Sequence, residues 1–232
     1  MISMSLSRID KSACLLRFYR QFVVPKDQRV KEQQSSFAAY GIAVHERVEN
    51  YLTHGHAIND MPLLLKRLNP IKAAIDSGLY VPRLEFQMGL TRKFQPCSTR
   101  VWNNCWFRTI PDITLEEKSS NEIAYWDTKT GKHKYSERQL KYNALGLFIH
   151  LPHIQKVKAT FLWVKKGVDR VDDHVTYDRS EINDIIFELE GEVKPVEDAE
   201  RSGNWIPRPN KWNCGFCPCN PKNGGDCEYA IN

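Results

Sequence analysis

Pro111-Asp112-Ile-Thr-Leu-Glu-Glu117 and Ile123-Ala-Tyr-Trp-Asp127-Thr-Lys129-Thr130 lie on either side of the polar stretch Lys118-Ser-Ser-Asn121. Both flanks are rich in β-branched and aromatic residues, and the short polar link between them predicts a β-hairpin. Residues two apart on a strand share a face. Asp127 and Lys129 therefore project together, while Trp126 and Thr128 turn to the other side and pack. Pairing of the two strands brings Asp112 beside Asp127 across the ladder. Two carboxylates that close repel one another unless a cation lies between them. A hard Mg²⁺ or Mn²⁺ ion suits such oxygen ligands, and an adjacent lysine suits the negative charge that grows during phosphodiester hydrolysis. An Asp-x-Lys pair alone is an ordinary surface ion pair contributing about 0 to 1 kcal/mol. The preceding Pro111-Asp112, the hairpin-length gap and the following Thr130-Gly131-Lys132 make this one more specific.

Outward from the hairpin, the periodicity alternates between helix and strand. A helix is expected from Ser5 to about Val24, leaving through the extended Val23-Val24-Pro25, then a loop from Lys26 to Ser36. Tyr40, Val44, Val48 and Tyr51 predict a helix over Phe37–Leu52, and Pro62 opens another over Met61–Ile75. Strands follow at Leu84–Phe94, Val101–Leu115 and Ile123–Thr130. A helix over Tyr135–Ile149 carries Leu140, Ala144, Leu147 and Phe148 on one side. Strands at Val157–Val164 and Val171–Tyr177 and a helix over Glu181–Val193 precede a Pro- and Gly-rich tail from Pro195. This order predicts an α/β (α+β) fold, a mixed central sheet flanked by helices with a Cys-rich C-terminal tail, rather than a doubly wound nucleotide fold. No glycine loop of the phosphate-binding kind is present to support an ATPase reading.

Composition sets broad limits. Of 232 residues, 41% are hydrophobic and 26% charged, as in ordinary globular chains. The charge of +5 is compatible with a polyanionic partner without requiring one. No apolar run approaches the roughly 18 to 20 residues that span a bilayer, and the first residues do not read as a signal peptide, so no membrane partner and a cytoplasmic location are expected. Four of the seven cysteines, Cys214, Cys217, Cys219 and Cys227, crowd the tail. In a reducing compartment that spacing predicts bound metal before disulfides. Structural Zn²⁺ on four tail thiolates is one form of such a site; free thiols in a disordered tail are the alternative to it. Cys97 and Cys105 are expected to be ordinary buried residues.

Taken in order, these stretches resemble the RecB-like branch of the PD-(D/E)-x-K nuclease superfamily, which includes phage and CRISPR-associated exonucleases. Ser5-Leu-Ser-Arg-Ile with Cys14-Leu-Leu-Arg-Phe-Tyr resembles the opening helix of the branch, with Leu15 where a proline is usual. Gly41-Ile-Ala-Val-His45 resembles its Gly-x-x-x-His motif. Pro111-Asp112 and Asp127-Thr-Lys129 resemble the signature itself. Gln139-Leu-Lys-Tyr142 resembles the Gln-x-x-x-Tyr motif with two intervening residues instead of three, and the cysteine tail resembles the metal-cluster tail of some members.

The resemblance implies a restriction-endonuclease-like core over residues 1–195, including the N-terminal helices, and a tail over 196–232 packed against the first helix. It implies a metal-dependent deoxyribonuclease, an exonuclease or flap-type enzyme acting on DNA ends in recombination, repair or phage replication. The metal ligands would be His45, Asp112, Asp127 and the Thr128 carbonyl. Lys129 would be the catalytic lysine, and Gln139 and Tyr142 would touch the DNA backbone or the lysine. A capping box from Ser136 to Gln139, with Tyr142 packing, is the plainer alternative. Glu85 is read as structural. A four-iron cluster would take Cys14, Cys214, Cys227 and either Cys217 or Cys219, and zinc remains its rival. Lys132, Lys134, Arg138 and Lys141 would meet phosphates, and Trp102, Trp106 and Trp212 are candidates for base stacking, although core packing suits the first two better. A catalytically silent DNA-binding or complex-forming module, and a zinc-ribbon adaptor on an unrelated α/β domain, are the competing readings. A homo-oligomer, or partners from replication or recombination, are compatible with either nuclease-fold reading. A phage-encoded chain would act in the host cytoplasm.

Overall fold

The computed structural model describes residues 2–32, 35–101, 103–131, 136–164 and 174–231. The chain divides into two compact units, Met1–Gln34 with Ile186–Asn232, and Ser35–Ile185. This differs from the division read in the sequence: the first 34 residues group with the cysteine tail, and the 195/196 boundary falls inside a helix.

In the first unit, β1 (Met4–Ser5), α1 (Leu6–Lys11) and α2 (Leu15–Phe18) are followed by a π-helical turn at Tyr19–Val23. The single helix expected over this stretch is broken at Ser12-Ala13-Cys14, where Cys14 is extended and stands at the N-cap of α2. Phe18 stacks on Trp205 with ring centroids 6.2 Å apart, and Arg20 pairs with Asp226 at 2.5 Å, so both ends of the chain share one unit.

The second unit begins with α3 (Ser36–His54) and α4 (Pro62–Asp76), followed by β2 (Tyr80–Leu84), β3 (Met88–Leu90), β4 (Pro96–Cys97), β5 (Phe107–Thr109), β6 (Ile113–Glu117) and β7 (Glu122–Lys129). Then come α5 (Glu137–His150), β8 (Lys156–Trp163) and β9 (His174–Asp178). The principal sheet has the order β2-β6-β7-β8-β9. β6 and β7 form the expected hairpin, with Ile113 opposite Trp126. β8 runs parallel to β7, as the intervening α5 requires. The other pairs are antiparallel. A smaller antiparallel array joins β3 with β4 and β5. The fold is thus mixed α/β, as the sequence predicts.

One face of the principal sheet is covered by α3 and α4. Val44, Val48 and Leu52 recur every fourth residue on α3, and with Leu64, Leu68 and Ile71 of α4 they bury against Ile113, Leu115 and Leu162. Full burial of each such side chain stabilises by about 1.5 to 3 kcal/mol. On the α5 side, the buried Tyr125 hydroxyl donates to the Leu140 carbonyl at 2.7 Å.

Three expected strands and helices have different limits. Leu84–Phe94 is not one strand: β2 ends at Leu84 and β3 starts at Met88. Val101–Leu115 is likewise interrupted by Ile110-Pro111-Asp112 between β5 and β6. The last long helix, α6 (Ile182–Ser202), runs nine residues past the expected Val193, through Pro195. Its buried stripe Leu189, Val193, Val196 and Ala199 continues across the proline. That packing outweighs the roughly 3 kcal/mol a mid-helix proline costs. A short α7 (Lys211–Gly215) follows in the tail. Among the described residues, no helix is long and apolar enough to cross a membrane.

Candidate active site

Sheet register assembles the site at one end of β2, β6 and β7. The ladder that pairs Leu84 with Ile113 continues one step, since the Glu85 N–H donates to the Asp112 carbonyl at 2.8 Å. The same step beyond Ile113–Trp126 brings Asp112 opposite Asp127. Glu85, Asp112 and Asp127 therefore occupy one row on three neighbouring strands. Glu85 holds a left-handed backbone, φ 47°, which costs a side-chain-bearing residue on the order of 1 kcal/mol. Such strain persists where the surroundings impose it, and functional sites are common among those places.

His45 enters from α3. Its Nδ1 lies 3.4 Å from Asp112 Oδ2 and 3.6 Å from Glu85 Oε1. The ligand atoms of these three residues all lie within 4.8 Å of one another, the one such group among the described residues. Asp112 Oδ2 also accepts the Thr128 N–H at 2.6 Å. The carbonyl of a strand residue leaves on the same side as its N–H, so Thr128 turns its carbonyl toward this group too, and it lines the same recess.

Asp127 and Lys129 share a face, as alternation predicts, and Lys129 Nζ sits 2.6 Å from Asp127 Oδ2. Gln139 of α5 bridges them, accepting from Lys129 Nζ at 2.5 Å and donating to Asp127 Oδ1. The Lys129 ammonium also lies 5.3 Å from the centre of the Phe161 ring. Gln139 is thus bonded across to β7, and the side chain of Ser136, the N-cap of α5, makes no capping bond. The capping-box alternative does not describe this helix start.

Burial sets the electrostatics. It pushes the Asp112 carboxyl up to about 7, with the Asp127 charge acting in the same direction and His45 opposing. Asp127 is also raised by burial, against the pull of Lys129. His45 is raised, chiefly by its contact with Glu85. Two buried carboxyls and an imidazole thus hold protons more tightly than usual, in a place where a divalent cation would release them.

The cysteines form a second cluster, in the other unit. Cys14, Cys214, Cys217, Cys219 and Cys227 all line one recess. The tail turns tightly round it: the Cys217 N–H donates to the Cys214 carbonyl at 3.1 Å and the Cys227 N–H to the Cys219 carbonyl at 2.8 Å. The side chain of Asn220, fully buried, donates to the Cys214 carbonyl, and that of Asn223 to the Cys217 carbonyl. Cys14 Sγ accepts the Arg208 N–H at 3.4 Å. A hydrogen bond from the Cys219 thiol draws the Cys217 thiol down to about 6, aided by Arg17, and the Cys219 thiol is raised in turn. Cys105 is fully buried and Cys97 half-buried; burial and the neighbouring Cys105 push the Cys97 thiol up to about 11.

Several sequence expectations change here. Glu85, read as structural, stands in the His45–Asp112 group. The carboxylate of Asp127, read as a metal ligand, is engaged by Lys129 and Gln139. Tyr142 is buried with its ring edge-on to Phe107 at 5.9 Å, so it packs the core and is not a surface for DNA. Trp106 is equally buried, as core packing requires, while Trp212 is 83% exposed. Arg138 and Lys141 are half-buried on α5, with Lys141 3.9 Å from Glu137. Lys132, Lys134 and Trp102 lie outside the described residues. No family model matches the chain, and comparison with curated proteins returns no match.

Proposed function

We propose that the Ser35–Ile185 unit is a divalent-metal-dependent deoxyribonuclease of the PD-(D/E)-x-K kind, cutting phosphodiester bonds at DNA ends. The observation that carries this reading is the convergence of His45, Glu85 and Asp112 beside an Asp127–Lys129–Gln139 triad. Oxygen donors this close fit Mg²⁺ or Mn²⁺, and the added imidazole favours the softer Mn²⁺ of the two. His45, Glu85 and Asp112 would hold the ion, with the Thr128 carbonyl beside them. When bound, such an ion lowers the pKa of coordinated water and neutralises phosphate charge.

The chain's own groups do the rest. Asp127 and Gln139 fix the Lys129 ammonium, which would orient the attacking water and stabilise the negative charge that develops on the phosphate. Preorganised in this way, the lysine needs no rearrangement as charge grows. Work on DNA ends in recombination, repair or phage replication belongs to the same proposal and rests on the family resemblance.

The cysteine recess would hold a four-iron cluster or Zn²⁺ on four of the five cysteines that line it. Bound there, the metal would cross-link residues from both chain ends and stabilise that unit. An absorbance spectrum and elemental analysis of anaerobically purified protein separate iron from zinc.

Digestion of end-labelled linear, circular and single-stranded DNA with Mn²⁺ tests the nuclease reading. Wild type should degrade the linear forms, and folded Lys129→Ala should not. Tight DNA binding without cleavage by wild type in any divalent ion would replace the enzyme with a silent binding module.

A further inference from the structure

Helix α3 outruns the core it packs against. Its first buried residue is Val44, whereas every residue from Ser35 to Tyr40 is exposed. At 1.5 Å per residue, Phe37 stands about 10 Å beyond Val44 along the axis. Seven residues make nearly two turns, so Phe37 continues the stripe of Val44 and Val48 that meets the sheet. Yet Phe37 is 84% exposed and Tyr40 48%. The helix could begin several residues later without losing one buried side chain. Two aromatic rings kept in water on a helix that need not be there call for an occupant.

The overhang lies at the candidate active site. Gly41, between the exposed rings and His45, approaches β7 so closely that a Cβ there would stand 3.3 Å from Thr130 Oγ1. Thr130 directly follows Lys129, and His45 is one turn along from Gly41 on α3. Lys129 brings an ammonium to this end of the sheet, and Arg138 and Lys141 follow on α5. Flat aromatic faces beside positive charge suit one chemistry well: unpaired bases on a phosphate backbone. A paired duplex keeps its bases stacked on one another and offers such rings no comparable face along its length.

We infer that Phe37 and Tyr40 form a base-stacking platform at the entrance to the site, holding the unpaired end of a DNA strand while its phosphate reaches Lys129. The inference rests on the nuclease reading and adds to it the substrate class and two specificity residues. Stacking on an aromatic ring contributes about 1 to 3 kcal/mol per base.

Binding without turnover tests it. Full-length Lys129→Ala protein is titrated with a labelled single strand, an abasic strand of equal length and a duplex, read by fluorescence anisotropy. Adding Phe37→Ala or Tyr40→Ala should weaken single-strand binding by about 5- to 150-fold, the stacking energy above converted to affinity. Affinity for the abasic strand and the duplex should hardly move, and Phe37→Trp should retain the preference. Both residues are exposed, so the variants should melt with their parent. Equal losses on all three probes, or none, overturn the platform. So does a change only in oligomeric state, which would assign the rings to a second copy of the chain. Cleavage by wild type with unselective binding sinks the platform alone; selective binding without any cleavage sinks the nuclease reading alone.

Discussion

The carboxylate row and the cysteine recess both gather metal-ligand side chains, but the chain builds them in opposite ways. Glu85, Asp112 and Asp127 are brought together by ladder register on three adjacent strands, over a core of Val44, Val48, Leu52, Ile113 and Leu115. Cys14 and Cys214 are 200 positions apart, and the helices beside them, α1, α2 and α7, have six, four and five residues. Helices shorter than about 12 residues are marginal by themselves. The row is therefore positioned by the fold whether or not an ion binds. The recess rests on short helices and local turns, and an ion there would help to make the fold. Loss of metal should thus cost activity at the first place and structure at the second.

The largest effect expected is on cleavage. Lys129→Ala should lower the Mn²⁺-dependent rate by at least about 10² to 10³, the usual consequence of removing one preorganised group that stabilises developing charge. Asp127, whose carboxyl burial already raises, would then take up a proton, so the variant should still fold by circular dichroism. A rate within tenfold of wild type would remove the lysine from the chemistry.

Next in size, the double variant Cys214→Ser, Cys227→Ser should purify without iron or zinc and lose several kcal/mol of stability in urea, as expected when a metal contributes folding energy. Its rate per folded molecule should be unchanged. Wild-type protein that purifies without iron or zinc, or that keeps its unfolding midpoint when its metal is removed, would leave these thiols as simple packing.

The contrast between the two clusters also separates what the sequence reveals from what it hides. The β6–β7 hairpin is legible because its alternation and turn are local, and with it come the placement of Asp112 beside Asp127 and of Lys129 on the same face. The sharing of one recess by Cys14 and the tail cysteines was available only through the resemblance, since no local pattern spans the chain. The place of Glu85 beside His45 and Asp112 is hidden in the sequence because it depends on β2 pairing with β6, some thirty residues away. Once that pairing is known, register alone puts Glu85 opposite Asp112. Tyr142 keeps motif-like spacing but faces Phe107, and spacing cannot tell packing from contact. Pro195 reads as a helix end, yet the apolar stripe on its far side, Val196 and Ala199, was the signal that α6 continues.

Acidity should distinguish the clusters again. Asp112, at about 7 in the fold, has a carboxyl raised well above the ordinary 3.8. Asp127 and His45 are raised too. Groups with raised folded pKa values hold protons more tightly folded than unfolded. Their contribution to stability is complete below the unfolded values and is lost as pH rises through the folded ones. The metal-free sheet unit should therefore melt at lower temperature as pH rises from about 4 to about 8. The gain on adding Mn²⁺ should grow over the upper part of that range, because the ion displaces those protons. Asp112→Asn should flatten both trends, and a melting temperature that climbs with pH in metal-free wild type would reverse the assignment.

Two glycine-to-alanine changes give the smallest and most local comparison. A Cβ on Gly225 would fall on the backbone of Cys219, which cannot move aside without opening the turn closed by the Cys227 N–H. Gly225→Ala should therefore lower the metal content of the recess and leave cleavage per folded molecule intact. A Cβ on Gly146 of α5 would lie 2.5 Å from Thr109 Cγ2 and 2.9 Å from Met88 Cε. These are side-chain atoms, and the methionine end can swing away. Overpacking of about 1 to 3 kcal/mol is offset by up to about 1 kcal/mol of helix propensity. Gly146→Ala should thus shift the urea midpoint modestly downward. If α5 tilts to relieve the clash, Gln139 moves at the other end of the same helix, and the cleavage rate should fall more than stability does. An unchanged rate at reduced stability would show that Gln139 is held by Lys129 and Asp127 rather than by the seat of α5.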